Sequence, residues 1–119
     1  MSEIHLDEGV LATLQEIMED EYPVLLDTFV SDSEERIRVV GQALTAGDDQ
    51  ALRLAAHSFK GSCSNMGAVG LAELCRQLED VAKRQQMPLA SELIEQLQRE
   101  FAIVRILLKS ERQRYTHRL

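Results

Sequence analysis

Residues 52–66 read LRLAAHSFKGSCSNM, a stretch with one apolar and one polar helical face. At about 100° per residue, the side chains at 52, 55, 56, 59, 63 and 66 fall within one arc and predict a buried face. His57 then lies roughly 140° from Leu52, close to Arg53 and Ser64, and points away from that face. The stretch therefore predicts an amphipathic helix that presents a histidine to solvent.

Two long helices are predicted before residue 67. Pro23 suits the first turn of one of them, and Gly47 suits the left-handed turn that ends it. Asp48 and Asp49 can then cap the helix that carries His57. The helix that begins near Pro23 has its core stripe at steps of three and four, at Leu26, Phe29, Ser33, Ile37, Val40 and Leu44.

Two further helices are predicted after residue 67. Gly67 and Gly70 break the chain before the first of them, and Pro88 opens the second. Their stripes are Leu71, Leu74, Cys75, Leu78, Val81 and Ala82 in one, and Leu93, Leu97, Phe101, Val104 and Leu108 in the other. Because no strand pattern is visible, we predict an all-α fold, an antiparallel four-helix bundle.

The chain has 119 residues, the length of a single domain. We assign residues 20–112 to the bundle and residues 1–19 to an additional short N-terminal helix or lid, capped by Asp7 and ending near Met18. The apolar side of that helix is predicted at Val10, Leu11, Leu14, Ile17 and Met18. Residues 113–119 form a basic tail, which we interpret as a fraying helix end rather than a recognition segment.

The charge balance argues against a nucleic-acid or anionic-membrane ligand. The chain has 13 Lys and Arg against 20 Asp and Glu, no Trp and only 4% aromatic residues. Residues 1–50 hold thirteen acidic and two basic residues, whereas residues 51–84 hold three and five. The middle of the chain is therefore locally positive.

Cysteine spacing and hydropathy favour a cytoplasmic protein. Cys63 and Cys75 have neither metal-finger nor Cys-x-x-Cys spacing, so reduced thiols are expected. No export signal is visible at the N-terminus, and the longest apolar run is the four residues 101–104. About 20 such residues are needed to cross a bilayer, so we expect a soluble protein.

Lys60 and Gly61 distinguish the surface around His57 from an ordinary solvated face. A glycine inside a helix costs about 1 kcal/mol relative to alanine, so Gly61 calls for a reason, and clearing space beside the imidazole is one. Ser62 and Ser64 are also small, so another protein could approach closely. Lys60 lies one turn from His57 and can bring its ammonium to a group attached to the ring.

Other interpretations of His57 stay open from the residues alone. A solvated surface histidine needs no function. A bundle metal site is poorly supported, because Leu54 stands where a Glu-x-x-His motif needs Glu, and His5 and His117 lie near the termini. The spacing leaves a Ser-His-Asp set open, but the chain has no Gly-x-Ser-x-Gly turn, and no Walker loop for a nucleotide.

Residues 56–68, AHSFKGSCSNMGA, resemble the signature of histidine-containing phosphotransfer (HPt) domains. That signature is His, any residue, an apolar residue, Lys-Gly, two small residues and a later apolar-Gly-Ala turn. The resemblance extends through residues 52–82, including the pair Leu78-Glu79. Cys63 departs from it, since the family commonly has Ser or Ala there. The whole chain looks like a stand-alone bacterial member of the family.

The resemblance implies a phosphoryl carrier rather than an enzyme with its own ATP or kinase site. His57 would accept the group from a receiver-domain aspartate of a hybrid sensor kinase and pass it to the receiver of a response regulator. Lys60 would offset the phosphoryl charge, and Glu79 would orient the imidazole through its inner nitrogen. No cofactor is expected in this chain, and Mg²⁺ is expected in the receiver.

We predict a docking rim for the receiver around His57. Its residues are Arg53, Leu54, Gly61, Ser64, Arg76 and Lys83, with Leu11 and Met18 added from the first helix. A monomer is expected, since this face must stay free. The rival hypothesis is a helical adaptor that binds receivers or other signalling domains through the same face and is never phosphorylated.

Overall fold

A computed structural model describes residues 4–118, and residues 1–3 and 119 of the predicted terminal segments lie outside this range. The described part contains helices and short turns, with no strand. Its α-helices are α1 (Glu8–Met18), α2 (Tyr22–Thr45), α3 (Asp49–Asn65), α4 (Val69–Lys83) and α5 (Ala90–Arg118). Short 3-10 turns, Glu19–Glu21 and Met87–Leu89, precede α2 and α5.

Helices α2 to α5 form the predicted antiparallel four-helix bundle. Each is packed against two of the others in a closed ring, with α3 and α4 in the most extensive contact. Helix α1 is the predicted additional helix, and it packs beside α2. Among the described residues, no helix is long and apolar enough to pass through a bilayer.

The helix boundaries around α3 follow the predicted local signals. Gly47 has a φ of 66° and Gly67 a φ of 71°, so both occupy the left-handed region that favours glycine. The Asp48 side chain accepts a hydrogen bond from the Ala51 N–H at 3.0 Å and caps the first turn. Asp7 caps α1 in the same way, through Gly9 and Val10. These contacts fix where the His57 helix begins and ends.

The predicted break at Gly70 and the predicted start of the last helix at Pro88 both differ from the structure. Gly70 lies inside the first turn of α4, where a Cβ atom would collide with the carboxylate of Glu100. Pro88 lies in the 3-10 turn, and α5 begins only at Ala90. A side chain at position 70 would therefore have to displace the Glu100 carboxylate of α5.

The bundle core contains the predicted faces of α3 and α4. On α3 the fully buried residues are Leu52, Ala56, Phe59 and Cys63, and on α4 they are Leu71, Cys75 and Leu78. A hydrogen bond with Cys75, together with burial, raises the pKa of the Cys63 thiol well above its ordinary range. Both cysteines are free and act as small core residues. The opposite face of α3, with His57, is thereby turned outward.

The C-terminal segment does not separate from the bundle at residue 112. Helix α5 continues to Arg118, and Tyr115 is buried within this stretch. Its ring packs edge-on against Tyr22, with centroids 5.4 Å apart, and its hydroxyl donates to the Glu19 carbonyl at 2.6 Å. These contacts hold this part of α5 against the start of α2.

Candidate functional site

His57 lies on the outer face of α3, and its side chain is 66% exposed. This agrees with the orientation predicted from helical periodicity. Nδ1 of the ring lies 2.7 Å from Oε2 of Glu79, which is carried by α4. Among the described residues, Nε2 has no hydrogen-bond partner. One ring nitrogen is therefore held by the protein while the other faces solvent.

The Glu79 carboxylate joins His57 and Lys60. Its Oε1 accepts a hydrogen bond from Nζ of Lys60 at 2.6 Å, while Oε2 faces the imidazole. Glu79 is 21% exposed and Lys60 32% exposed, so both are partly shielded by the α3 and α4 packing. The three side chains that the sequence singled out are thus brought into one cluster.

The protonation state of Glu79 follows from these contacts. The hydrogen bond from Lys60 is the largest cause that lowers the pKa of Glu79, and the contact with His57 lowers it further, whereas burial acts in the opposite direction. Glu79 is therefore ionised near neutral pH and accepts from an N–H at Nδ1. With the proton on Nδ1, the lone pair of an uncharged imidazole lies on the exposed Nε2.

The surface beside His57 is open at Gly61. A Cβ atom built there would meet no atom within 4 Å, which agrees with the predicted clearance. Leu54, one turn before His57, is 54% exposed, and Ser64 is also exposed. Arg53 is half-buried on the same helix. These four residues of the predicted rim share the outer surface of α3.

The predicted rim residues on α4 and α1 differ in their surroundings. Arg76 is exposed, but its guanidinium donates to Glu73 at 2.6 Å. Lys83, the last residue of α4, is exposed. Leu11 is only 1% exposed, so its assignment to the rim is wrong. Met18 is half-buried against the core and offers only part of its side chain.

A residue that the sequence analysis missed is Arg36 on α2. Its Nη1 donates a hydrogen bond to Oγ of Ser58 at 2.6 Å, directly beside His57 in the chain. The sequence did offer one indication of this position. Arg36 precedes Ile37, a predicted core residue of α2, so Arg36 is expected at the edge of the buried face of that helix. Residue patterns within α3 alone do not contain that signal.

The described residues contain no cluster of side chains that suggests a metal site. Within residues 4–118, His, Cys, Asp and Glu side chains form no group of three or more that could hold a metal ion. His5, one of the remaining histidines, is bound to Glu100 through Nδ1 at 2.8 Å. The cluster around His57 consists of one imidazole, one carboxylate and one ammonium, which suits group transfer at the imidazole.

Comparison with known proteins agrees with this geometry. The Hpt domain model matches residues 24–106, which include His57, Lys60 and Glu79. The crystal structure of histidine-containing phosphotransfer protein B (HptB) from Pseudomonas aeruginosa PAO1 is 68% identical, with 96% of this chain and 99% of that chain covered and a TM-score of 0.92. No curated protein sequence matches this chain. The chain therefore belongs to the Hpt domain family and is a histidine-containing phosphotransfer protein of a phosphorelay, a phosphoryl carrier rather than a kinase.

Proposed function

We propose that His57 is the phosphoryl acceptor and that the group is carried on Nε2. The observation that carries this proposal is the Glu79 contact, in which Oε2 lies 2.7 Å from Nδ1 and leaves Nε2 exposed. An imidazole with its proton on Nδ1 is a good nucleophile at Nε2 near neutral pH.

The proposed partners are receiver domains, that of a hybrid sensor kinase as donor and that of a response regulator as acceptor. The Nε2 lone pair attacks the phosphorus of the donor's aspartyl phosphate, an N–P bond forms, and the bond from phosphorus to the aspartate oxygen breaks. The aspartate leaves as a carboxylate, and the ring keeps its Nδ1 proton. Glu79 balances the positive charge that this gives the ring. The second transfer reverses these steps with a new aspartate.

Lys60 and the receiver share the neutralisation of charge. The Lys60 ammonium lies 2.6 Å from Glu79, on the same cluster as the imidazole, and its flexible stem allows it to turn to the phosphoryl oxygens. We expect the Mg²⁺ ion of this chemistry to belong to the receiver, and no cofactor in this chain. A monomer in the cytoplasm fits the exposed His57 face and the free thiols of Cys63 and Cys75.

The proposal is tested by transfer from a radiolabelled phosphoreceiver to the unaltered chain, His57→Gln and the control His5→Gln. We expect the unaltered chain to be labelled and His57→Gln to carry no label. Circular dichroism should show the same helix content in both proteins. His5→Gln keeps the label, since its ring contacts Glu100 and not Glu79. The label is expected to be lost in acid and to survive alkali. Undiminished labelling of His57→Gln overturns the assignment, and receiver binding without any labelling supports the adaptor instead.

A further inference from the structure

Arg36 differs from most arginines of the described surface because no carboxylate lies within ion-pair distance of it. Its only described hydrogen bond goes to the neutral hydroxyl of Ser58. Six other arginines are paired within the chain, as Arg38–Glu35, Arg76–Glu73, Arg84–Asp80, Arg105–Glu34, Arg112–Asp27 and Arg114–Glu111. Among the described residues, no carboxylate therefore forms an ion pair with Arg36.

This charge lies beside the His57 surface, on the side away from Glu79. Ser58 follows His57 and is rotated from it by about 100°, toward α2, whereas the Lys60 and Glu79 contact is on the α4 side. Gly61 is four residues from His57 and three from Ser58, so it lies between them on the helix surface. The open surface at Gly61 thus has Lys60 on one side and Arg36 on the other.

We propose that Arg36 is a docking residue for the receiver domain and binds a carboxylate at the rim of the receiver's acidic phosphorylation pocket. This inference rests on the function proposed above. It assigns different roles to the two cations, since Lys60 serves the phosphoryl group and Arg36 serves the partner protein. Arg36 thereby extends the docking surface from α3 and α4 to α2, where the sequence analysis had assigned no rim residue.

The chemistry of the Arg36 contact favours such a role. A guanidinium has five N–H donors in a planar fork that matches a carboxylate, and the bond to Ser58 uses only one of its nitrogens. The hydroxyl holds the side chain in place without neutralising it, which reduces the ordering cost of binding. Arg76 on α4 lacks this freedom, because Glu73 already occupies its guanidinium.

The test measures KM and kcat for phosphotransfer to the chain from the purified, phosphorylated receiver of a hybrid sensor kinase, chosen because it labels the unaltered chain. Arg36→Ala is expected to raise KM about fivefold, with kcat at saturation unchanged, since a rim charge acts on encounter and not on chemistry. Arg36→Glu should raise KM further, and added NaCl should reduce both differences. Both variants lose the bond that Arg36 donates to Ser58, so a purely structural role predicts no difference between them.

Arg38→Ala and Arg38→Glu are the matched controls, with the same charge changes two residues along α2 at an arginine already paired with Glu35. We expect both to keep the KM of the unaltered chain. The inference is overturned if Arg36→Ala and Arg36→Glu have the same KM as each other or as their Arg38 counterparts. The docking role of Arg36 can be tested separately from the role of His57 as acceptor. For this, the affinity of the unphosphorylated receiver is measured by titration for His57→Gln and for the double variant His57→Gln, Arg36→Glu, because this binding requires no phosphoryl transfer.

Discussion

Nδ1 of His57 on α3 lies 2.7 Å from Oε2 of Glu79 on α4, across the most closely packed pair of helices in the bundle. The position of the ring proton follows from this contact, because an ionised carboxylate accepts hydrogen bonds and cannot donate them. Lys60 keeps that carboxylate ionised through its own hydrogen bond. In the proposed mechanism, the contact between Glu79 and Nδ1 leaves the exposed Nε2 free to react.

Replacing Glu79 tests the orientation of the imidazole. Glu79→Ala removes the acceptor at Nδ1, so we expect the phosphotransfer rate to fall by about tenfold, the lower end of the usual loss when such a supporting contact is removed. Glu79→Gln can still accept from Nδ1 through its amide oxygen and should retain more of the rate. Rapid-quench measurement with a phosphoreceiver provides both rates. Equal rates for Glu79→Ala and the unaltered chain would show that the contact has no role in transfer.

Acid should weaken the folded state partly through Glu79. Because the pKa of Glu79 is lowered in the folded chain, this group favours folding above the pKa of an unfolded glutamate, about 4.3, and its contribution disappears as pH falls through the lower folded-state value. The free energy of unfolding, measured in urea, should therefore fall more between neutral pH and acid for the unaltered chain than for Glu79→Gln. Parallel pH profiles for the two proteins would contradict the lowered pKa.

Substitutions at Gly61 should separate folding from docking. Because a Cβ atom there meets no neighbour, Gly61→Ala should raise the free energy of unfolding by up to about 1 kcal/mol through helix propensity. Gly61→Leu should keep the helix content but project a large side chain beside His57 and block receiver binding. Circular dichroism and calorimetric titration with a receiver measure the two effects. Unchanged receiver affinity in Gly61→Leu would show that the clearance is not used.

A buried hydroxyl on α2 is expected to reduce the stability of the bundle. Ser33 is fully buried, and its Oγ has no hydrogen-bond partner in the described structure. Ser33→Ala removes a polar atom that lost its water on folding, so we expect about 1 kcal/mol more stability in urea unfolding. Ser31→Ala, at an exposed position of the same helix, should stay within about 0.5 kcal/mol of the unaltered chain. A less stable Ser33→Ala protein would indicate a hidden partner for the hydroxyl.

The sequence was most informative where structure depends on nearby residues. Asp48 and Gly67 act through their own backbone neighbours, so the limits of α3 could be predicted from residue type. The outward direction of His57 follows from its position relative to Phe59 and Cys63 in one helical period. The family signature covers the same segment, which explains why the phosphotransfer function was also evident.

Contacts between distant segments were predicted less well. Leu11, on the predicted apolar side of α1, is buried because α1 turns it onto the bundle. The spacing of apolar residues does not determine whether that side packs against the bundle or against a partner. Tyr115 extends the packed part of α5 through its contacts with Tyr22, far away in the sequence. Arg36 was missed for the same reason, since its partner Ser58 lies on another helix.

The site of phosphorylation on the imidazole tests the central claim most directly. Phosphorus and nitrogen NMR of the ¹⁵N-histidine-labelled chain, after transfer from a phosphoreceiver, identifies the nitrogen that is bonded to phosphorus. We predict a bond to Nε2 of His57 and a proton retained on Nδ1 beside Glu79. Phosphorus on Nδ1, or on any side chain other than His57, would contradict the account.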